Sequence, residues 1–248
     1  MKVLQTAFLT TLLVFGLTAT TAMAGTFAQT TQTTAAVQFS ILSNGTSTSI
    51  TASGQDNLTF LVATGFGSTP VLANFLLTAS STSLGNCTVS CSSGNAFTEQ
   101  GFTGTFSYIG AAGSAAPGAN LLSGTFSINA DPSNSGGKFT DTIDGTGGAY
   151  GATATATNLN AIVMTSDFLN FAGAGLETGS WTFSGGTPAF QVNAAGTLPA
   201  TGTTFLKENV ATFSAQQTVT GTPEPATMAL MGFALVGLGL IGRKRLMR

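Results

Sequence analysis

Between residues 25 and 221 apolar side chains recur at alternate positions in short bursts, each burst ended by Gly, Asn, Asp or Pro. Val37, Phe39 and Ile41 alternate with Gln38 and Ser40, the two-residue period of a strand with one buried face. Asn44-Gly45 follows, a strong hairpin signal, and Ser47 to Thr51 supplies a returning strand. Gly54-Gln55-Asp56-Asn57 reads as the next turn. Leu58, Phe60 and Val62 then alternate with Thr59 and Leu61, Gly65, Gly67 and Pro70 interrupt, and Val71 to Thr78 resumes as a more buried strand.

Gly104-Thr105-Phe106-Ser107 recurs as Gly124-Thr125-Phe126-Ser127, with shorter echoes at Thr182-Phe183-Ser184 and Thr212-Phe213-Ser214. In each, the Phe suits a core and its hydroxylated neighbours suit water, as a half-buried antiparallel strand requires. The spacing is irregular, so this is recurring strand chemistry and not a solenoid. Ala111 to Asn120, rich in Gly and Ala and carrying Pro117, reads as an exposed hairpin loop between the two full copies. Asp167-Phe168-Leu169-Asn170-Phe171 reads as core. No long amphipathic helix intervenes, so the pattern predicts an all-β body, an antiparallel β-sandwich or jelly-roll-like fold.

Composition narrows the function. Of 248 residues only 6% are charged and none is His, which removes the commonest general base and metal ligand. Between residues 25 and 221 the acids Asp56, Glu99, Asp131, Asp141, Asp144, Asp167, Glu177 and Glu208 face only two bases, Lys138 and Lys207. Such a surface repels nucleic acid, which needs clustered cations. Asp131, Asn134, Asp141 and Asp144 lack the alternate-position spacing of a calcium loop and read as solvated turn residues. No metal or cofactor is expected. Cys87 and Cys91 are the only cysteines; in an exported chain they are expected to form a disulfide, a local staple whose short loop stabilises the fold modestly.

Three function classes are compatible with this body. A non-catalytic surface component leads. A binding module for ice or polysaccharide would rest on Thr153, Thr155 and Thr157, which share one strand face, and on Trp181 as a stacking platform; a thin strand packed through Ala and a core Trp are the plainer expectations. Several adjacent strands carrying exposed Thr would favour the module. A secreted hydrolase would have to use carboxylates such as Asp141, Asp144, Glu99 or Glu177, held about 5 to 10 Å apart in a cleft.

The two ends of the chain carry the clearest signals. Lys2 and the largely apolar stretch Val3 to Ala19 precede Ala22-Met23-Ala24, a small-x-small cleavage pattern that makes Gly25 the expected mature N-terminus. At the other end Pro223-Glu224-Pro225 is followed by the uncharged run Ala226 to Gly242 and then by Arg243, Lys244, Arg245 and Arg248. As a helix that run spans about 25 Å, enough to cross a bilayer with snorkelling flanks. The trailing cations hold the end in the cytoplasm and place the body outside.

This order of Pro-Glu-Pro, apolar helix and basic end resembles the PEP-CTERM sorting tail of exported bacterial proteins, some of which are described as ice-binding. The resemblance covers only about the last tenth of the chain. It implies processing near Pro223-Glu224-Pro225 by an exosortase-like membrane protease and association with cell-surface or exopolysaccharide material. The organisation expected is a signal helix at 1–24, an exported β-rich domain at 25–217, a linker at 218–222 and a sorting tail at 223–248. Within the tail, 226–242 is a transmembrane helix and 243–248 a basic cytoplasmic end. Partners would be Sec-type export machinery, signal peptidase, the exosortase-like enzyme, the membrane through the C-terminal helix, and exopolysaccharide.

Overall fold

Alternation is visible strand by strand in the computed structural model. It describes residues 25–33, 37–43, 47–82, 85–87, 90–127, 136–143, 145, 147–153, 162–192, 202–216 and 219–221. The strands are β1 (Gly25–Gln32), β2 (Gln38–Ser43), β3 (Thr48–Phe60), β4 (Val71–Ser81), β5 (Asn86–Cys87), β6 (Ala96–Gly110) and β7 (Asn120–Phe126). They continue as β8 (Gly136–Thr142), β9 (Gly147–Thr153), β10 (Ile162–Thr165), β11 (Leu169–Asn170), β12 (Glu177–Thr187), β13 (Thr203–Ala215) and β14 (Thr220–Gly221). In β4 every second side chain from Val71 to Ser81 is buried. Among the described residues there is no helix, and none long and apolar enough to cross a membrane. The expected signal and C-terminal helices lie outside the described residues.

The all-β, antiparallel expectation holds, but the two-sheet arrangement does not. Twelve strands form one sheet, and its pairings close a circuit: β3 with β4, β4 with β6, β6 with β8, then β9, β12, β13, β2 and back to β3. Long strands make this possible by serving different neighbours along their length. Thr48 to Ser53 of β3 pairs with β2, whereas Asp56 to Phe60 pairs with β1. Likewise Ala96 to Phe102 of β6 pairs with β8 and Gly104 to Ile109 with β7. Between these halves the register shifts from Glu99 to Phe102, where Gly101 adopts φ 77°. A left-handed glycine there forms a bulge that bends the strand.

The segment Gly54 to Asn57, expected to turn, instead runs through the middle of β3. Its backbone pairs continuously with β4 from Thr48↔Ser81 to Leu58↔Val71. Gln55 donates from its side-chain amide to Asn74 at 3.2 Å, and Asp56 is buried. Neighbours on both edges override the local turn preference of these residues. Ser43↔Thr48 closes the β2–β3 hairpin, in agreement with the Asn44-Gly45 signal, though residues 44–46 themselves lie outside the described set. Ala111 to Ala119 is indeed the β6–β7 loop, closed by Gly110 N–H to Ala119 O at 2.9 Å.

Inside the circuit the core is aromatic, and glycine makes room for it. The two Gly-Thr-Phe-Ser copies pair with each other: Gly104 stands opposite Phe126 and Phe106 opposite Gly124. A Cβ on Gly124 would collide with the Phe106 ring. A four-residue word with Gly and Phe two apart thus sets each Gly level with a Phe when read antiparallel, and both rings turn inward with Thr105 and Thr125 exposed; a Cβ on Gly104 would instead meet Thr78 and Ala79 of β4. The same device recurs where Gly148 faces Phe183 and Gly179 faces Phe213. Added Cβ atoms there would lie 2.7 Å from Phe183 and 3.3 Å from Phe213.

One end of this body is closed by a separate two-stranded sheet. β11 pairs with β14 through Leu169↔Gly221 and Asn170↔Thr220. Flanking β11, Phe168 meets Phe66 with ring centroids 4.7 Å apart, and Phe171 meets Phe27 at 5.4 Å. Leu169 and Val219 are buried in the same core. Thus Val219 to Gly221, assigned from sequence to a linker at 218–222, are docked on the body. Burial of Val219 and pairing of the next two residues overcome the polar, linker-like composition of the segment.

Candidate functional site

Both ends of the β body converge. Gly25, the expected mature N-terminus, opens β1 and pairs with Ala215 near the end of β13. From there Gln216 N–H donates to Leu176 O at 2.8 Å, and the chain returns to the capping sheet at Val219 to Gly221. The signal residues Ala22 and Ala24 and the tail residues Pro223, Glu224, Pro225, Arg243, Lys244 and Arg245 lie outside the described residues.

Cys87 and Cys91 are joined in the structure, with Cα atoms 5.3 Å apart. The bridge sits where β5 pairs with Phe97 and Thr98 of β6, and both cysteines are half-buried against the core. It ties Cys91 back to β5, which itself pairs with β6, and leaves no free thiol among the described residues.

The residues considered for a ligand face fare differently. Trp181 is fully buried, and its indole N–H donates to the Tyr108 hydroxyl at 2.9 Å. It is therefore no stacking platform; four rings, those of Phe75, Phe106, Tyr150 and Phe213, surround it. Of the alternating threonines only the backbone of Thr153 is described, at the end of β9 opposite Thr178. Thr155 and Thr157 lie outside the described residues.

A different set of hydroxyls is aligned on the outer surface. Thr204, Ser40, Thr51, Thr78, Thr105 and Thr125 are successive cross-strand partners on β13, β2, β3, β4, β6 and β7. Thr51, Thr78, Thr105 and Thr125 are exposed, and the Thr78 and Thr105 hydroxyls are 3.2 Å apart. One row further along lie Ser53, Leu76, Ser107 and Ser123. Strand geometry spaces such groups about 4.8 Å across the sheet and roughly 6.7 Å along it. None of these residues is ionisable. Sequence reading missed this array because the partners come from distant strands, although the local signals Ser49-x-Thr51-x-Ser53 and Thr103-x-Thr105-x-Ser107 are visible.

The acids weighed for hydrolysis are mostly internal; Asp144 lies outside the described residues. Cross-strand register sets Phe97 opposite Asp141 and Glu99 opposite Phe139, so the two carboxyls occupy diagonal positions on the inner face of β6 and β8. Such diagonals are about 7 to 8 Å. Burial raises Glu99 from 4.5 to about 7, opposed by the Thr48 hydroxyl donating to Oε2 at 3.0 Å. Asp141 is likewise pushed by burial from 3.8 to about 7, opposed by Thr142 N–H donating to Oδ1 at 2.6 Å. Glu99 Oε1 and Asp141 Oδ2 have no partner among the described residues. Both groups are enclosed beside Phe97, Phe139 and Phe183, with 1% and 6% exposure.

Glu177 is distant, at the start of β12 and six residues along that strand from Phe183, the position level with Asp141. That separation is roughly 20 Å, beyond the reach of a catalytic carboxyl pair. Its Oε2 accepts Met164 N–H at 2.7 Å, tying β10 to β12 where no strand pairing joins them. Among the described residues no group of three or more His, Cys, Asp or Glu converges on one point.

Residues 222–245 match the family model described as the PEP-CTERM protein-sorting motif. The chain carries a PEP-CTERM sorting motif. The match begins at the residue after β14, directly beyond the capped end of the body. No curated protein and no solved structure matches the chain, and the body stands without a family. A PEP-CTERM motif marks an exported protein that passes through a membrane-anchored precursor on its way to the cell surface, and it is associated with exosortase processing.

Proposed function

We propose that this PEP-CTERM protein is a non-catalytic component of the cell envelope or exopolysaccharide matrix. Export would use Sec-type machinery and signal peptidase, and an exosortase-like membrane enzyme would then process the precursor near Pro223-Glu224-Pro225. The observation that carries the reading is the sorting motif placed directly after a closed β body whose two ends converge. Burial and internal hydrogen bonding of Glu99, Asp141 and Glu177 support a structural use of the acids over a catalytic one. Mass spectrometry of the C-terminal peptide of surface-localised protein tests the proposal. A new C-terminus close to residue 225 is expected; surface protein that still ends at Arg248 overturns the processing reading.

The aligned outer hydroxyls favour a second reading, a binding module for polysaccharide or ice. Its support is the uncharged hydroxyl row from Ser40 to Thr125 crossing adjacent strands, beside a second row of Ser53, Ser107 and Ser123 that exposed Leu76 interrupts. Thr78→Lys with Thr105→Lys places charge in that row without touching the core. Loss of co-sedimentation with a neutral polysaccharide, or of an effect on ice recrystallisation, is expected in the double variant. A parent body inactive in both assays overturns this second reading.

A further inference from the structure

We infer that the β11–β14 sheet is a strap that gates processing of the sorting motif, an inference that rests on the sorting reading above. Val219 is 3% exposed, and Thr220 and Gly221 stand opposite Asn170 and Leu169 in an antiparallel pairing. The motif begins at residue 222. A protease grips its substrate as an extended strand on both sides of the scissile amide. Here the body-side portion of such a strand is already held by β11, with its first residue in the core. The enzyme can therefore engage the motif fully only in molecules whose strap has let go.

Release of β14 is costly because it withdraws Val219 from the core and exposes its apolar surface. Phe168 and Phe171, on either side of β11, pack on Phe66 and Phe27 and hold β11 in place as a standing partner for β14. When only a fraction of molecules is competent to bind, apparent affinity falls by that fraction. The chemical step itself is ordinary scission: the acyl half of the amide passes to water or to an acceptor nucleophile, and the amine half stays on the tail. A second consequence is positional. Peptide bonds up to Gly221 are sequestered, so the cut falls at or beyond Thr222.

The test uses the full chain in cells that carry the sorting machinery, with processing followed by pulse-chase. One variant inserts a six-residue Gly-Ser spacer between Gly221 and Thr222, which leaves the strap docked and moves the motif away. A second, Val219→Ser, keeps the spacing and weakens docking. Both are expected to be processed about tenfold faster or more, as release of a minor competent population predicts. Acceleration by the spacer alone overturns the strap in favour of simple crowding by the body, and acceleration by neither also overturns it. A parent C-terminus upstream of Thr222 does the same. If no form is cut, and Ala in place of Pro223, Glu224 and Pro225 changes nothing, the sorting reading itself falls and the strap falls with it.

Discussion

Replacing Glu177 by Gln should make the body more stable at pH 8 and leave it unchanged near pH 4.5. The carboxyl is buried at the start of β12, and burial raises it from 4.5 to about 7 against the lowering effect of the Met164 N–H bond. The folded state therefore holds a proton that the unfolded state releases near 4.5. Its contribution is fully present below that value and is lost as pH rises through about 7. Each pKa unit corresponds to about 1.4 kcal/mol. Solvent screening lowers the resulting ceiling, and about 1–2 kcal/mol is the loss expected from Glu177 between the two pH values, with Glu99 and Asp141 adding the same further loss to parent and variant. Gln keeps an acceptor for Met164 N–H and cannot ionise, so the variant escapes that loss. Ala instead leaves the amide without its partner and should destabilise by about 1–3 kcal/mol at every pH. Denaturant titrations at pH 4.5, 6 and 8, followed by fluorescence of the single tryptophan, Trp181, measure all three proteins. A Gln variant with the pH dependence of the parent would refute the argument, because it would show that Glu177 ionises in the fold without cost.

Two further changes probe the interior. Gly137→Ala sets a methyl against the Tyr150 hydroxyl and the Phe102 side chain; overpacking should cost about 1–3 kcal/mol, read as a lower denaturation midpoint. Tyr108→Phe removes the acceptor of the Trp181 indole N–H, and a loss of about 1–3 kcal/mol with a shifted Trp181 emission is expected.

How much was legible follows from the range of the interactions. Alternation of apolar and polar residues is written locally, so the all-β class, the β2–β3 hairpin, the Ala111 to Ala119 loop and the inward Phe of each Gly-Thr-Phe-Ser copy could be read directly. The turn expected at Gly54 to Asn57 failed because residues with strong turn preference were held straight by β4 and β1 on either edge. Val219 to Gly221 failed in the same way, since Leu169 and Asn170, their partners, lie some fifty residues earlier in the chain.

By itself the sequence determined that the chain carries a sorting motif and what its strands are made of. A sorting motif is a contiguous string, and a strand's faces are fixed by a period of two, so neither needs the rest of the molecule. Only the tertiary structure decided that one sheet closes on itself. It likewise decided that Gly124 makes room for Phe106, that Trp181 serves the core, and that Glu99 and Asp141 share the inner face. Each of these depends on register between distant strands. Register is set by burying one face of every strand at once, with rings fitted over glycines at some crossings, and no single stretch of chain encodes that match.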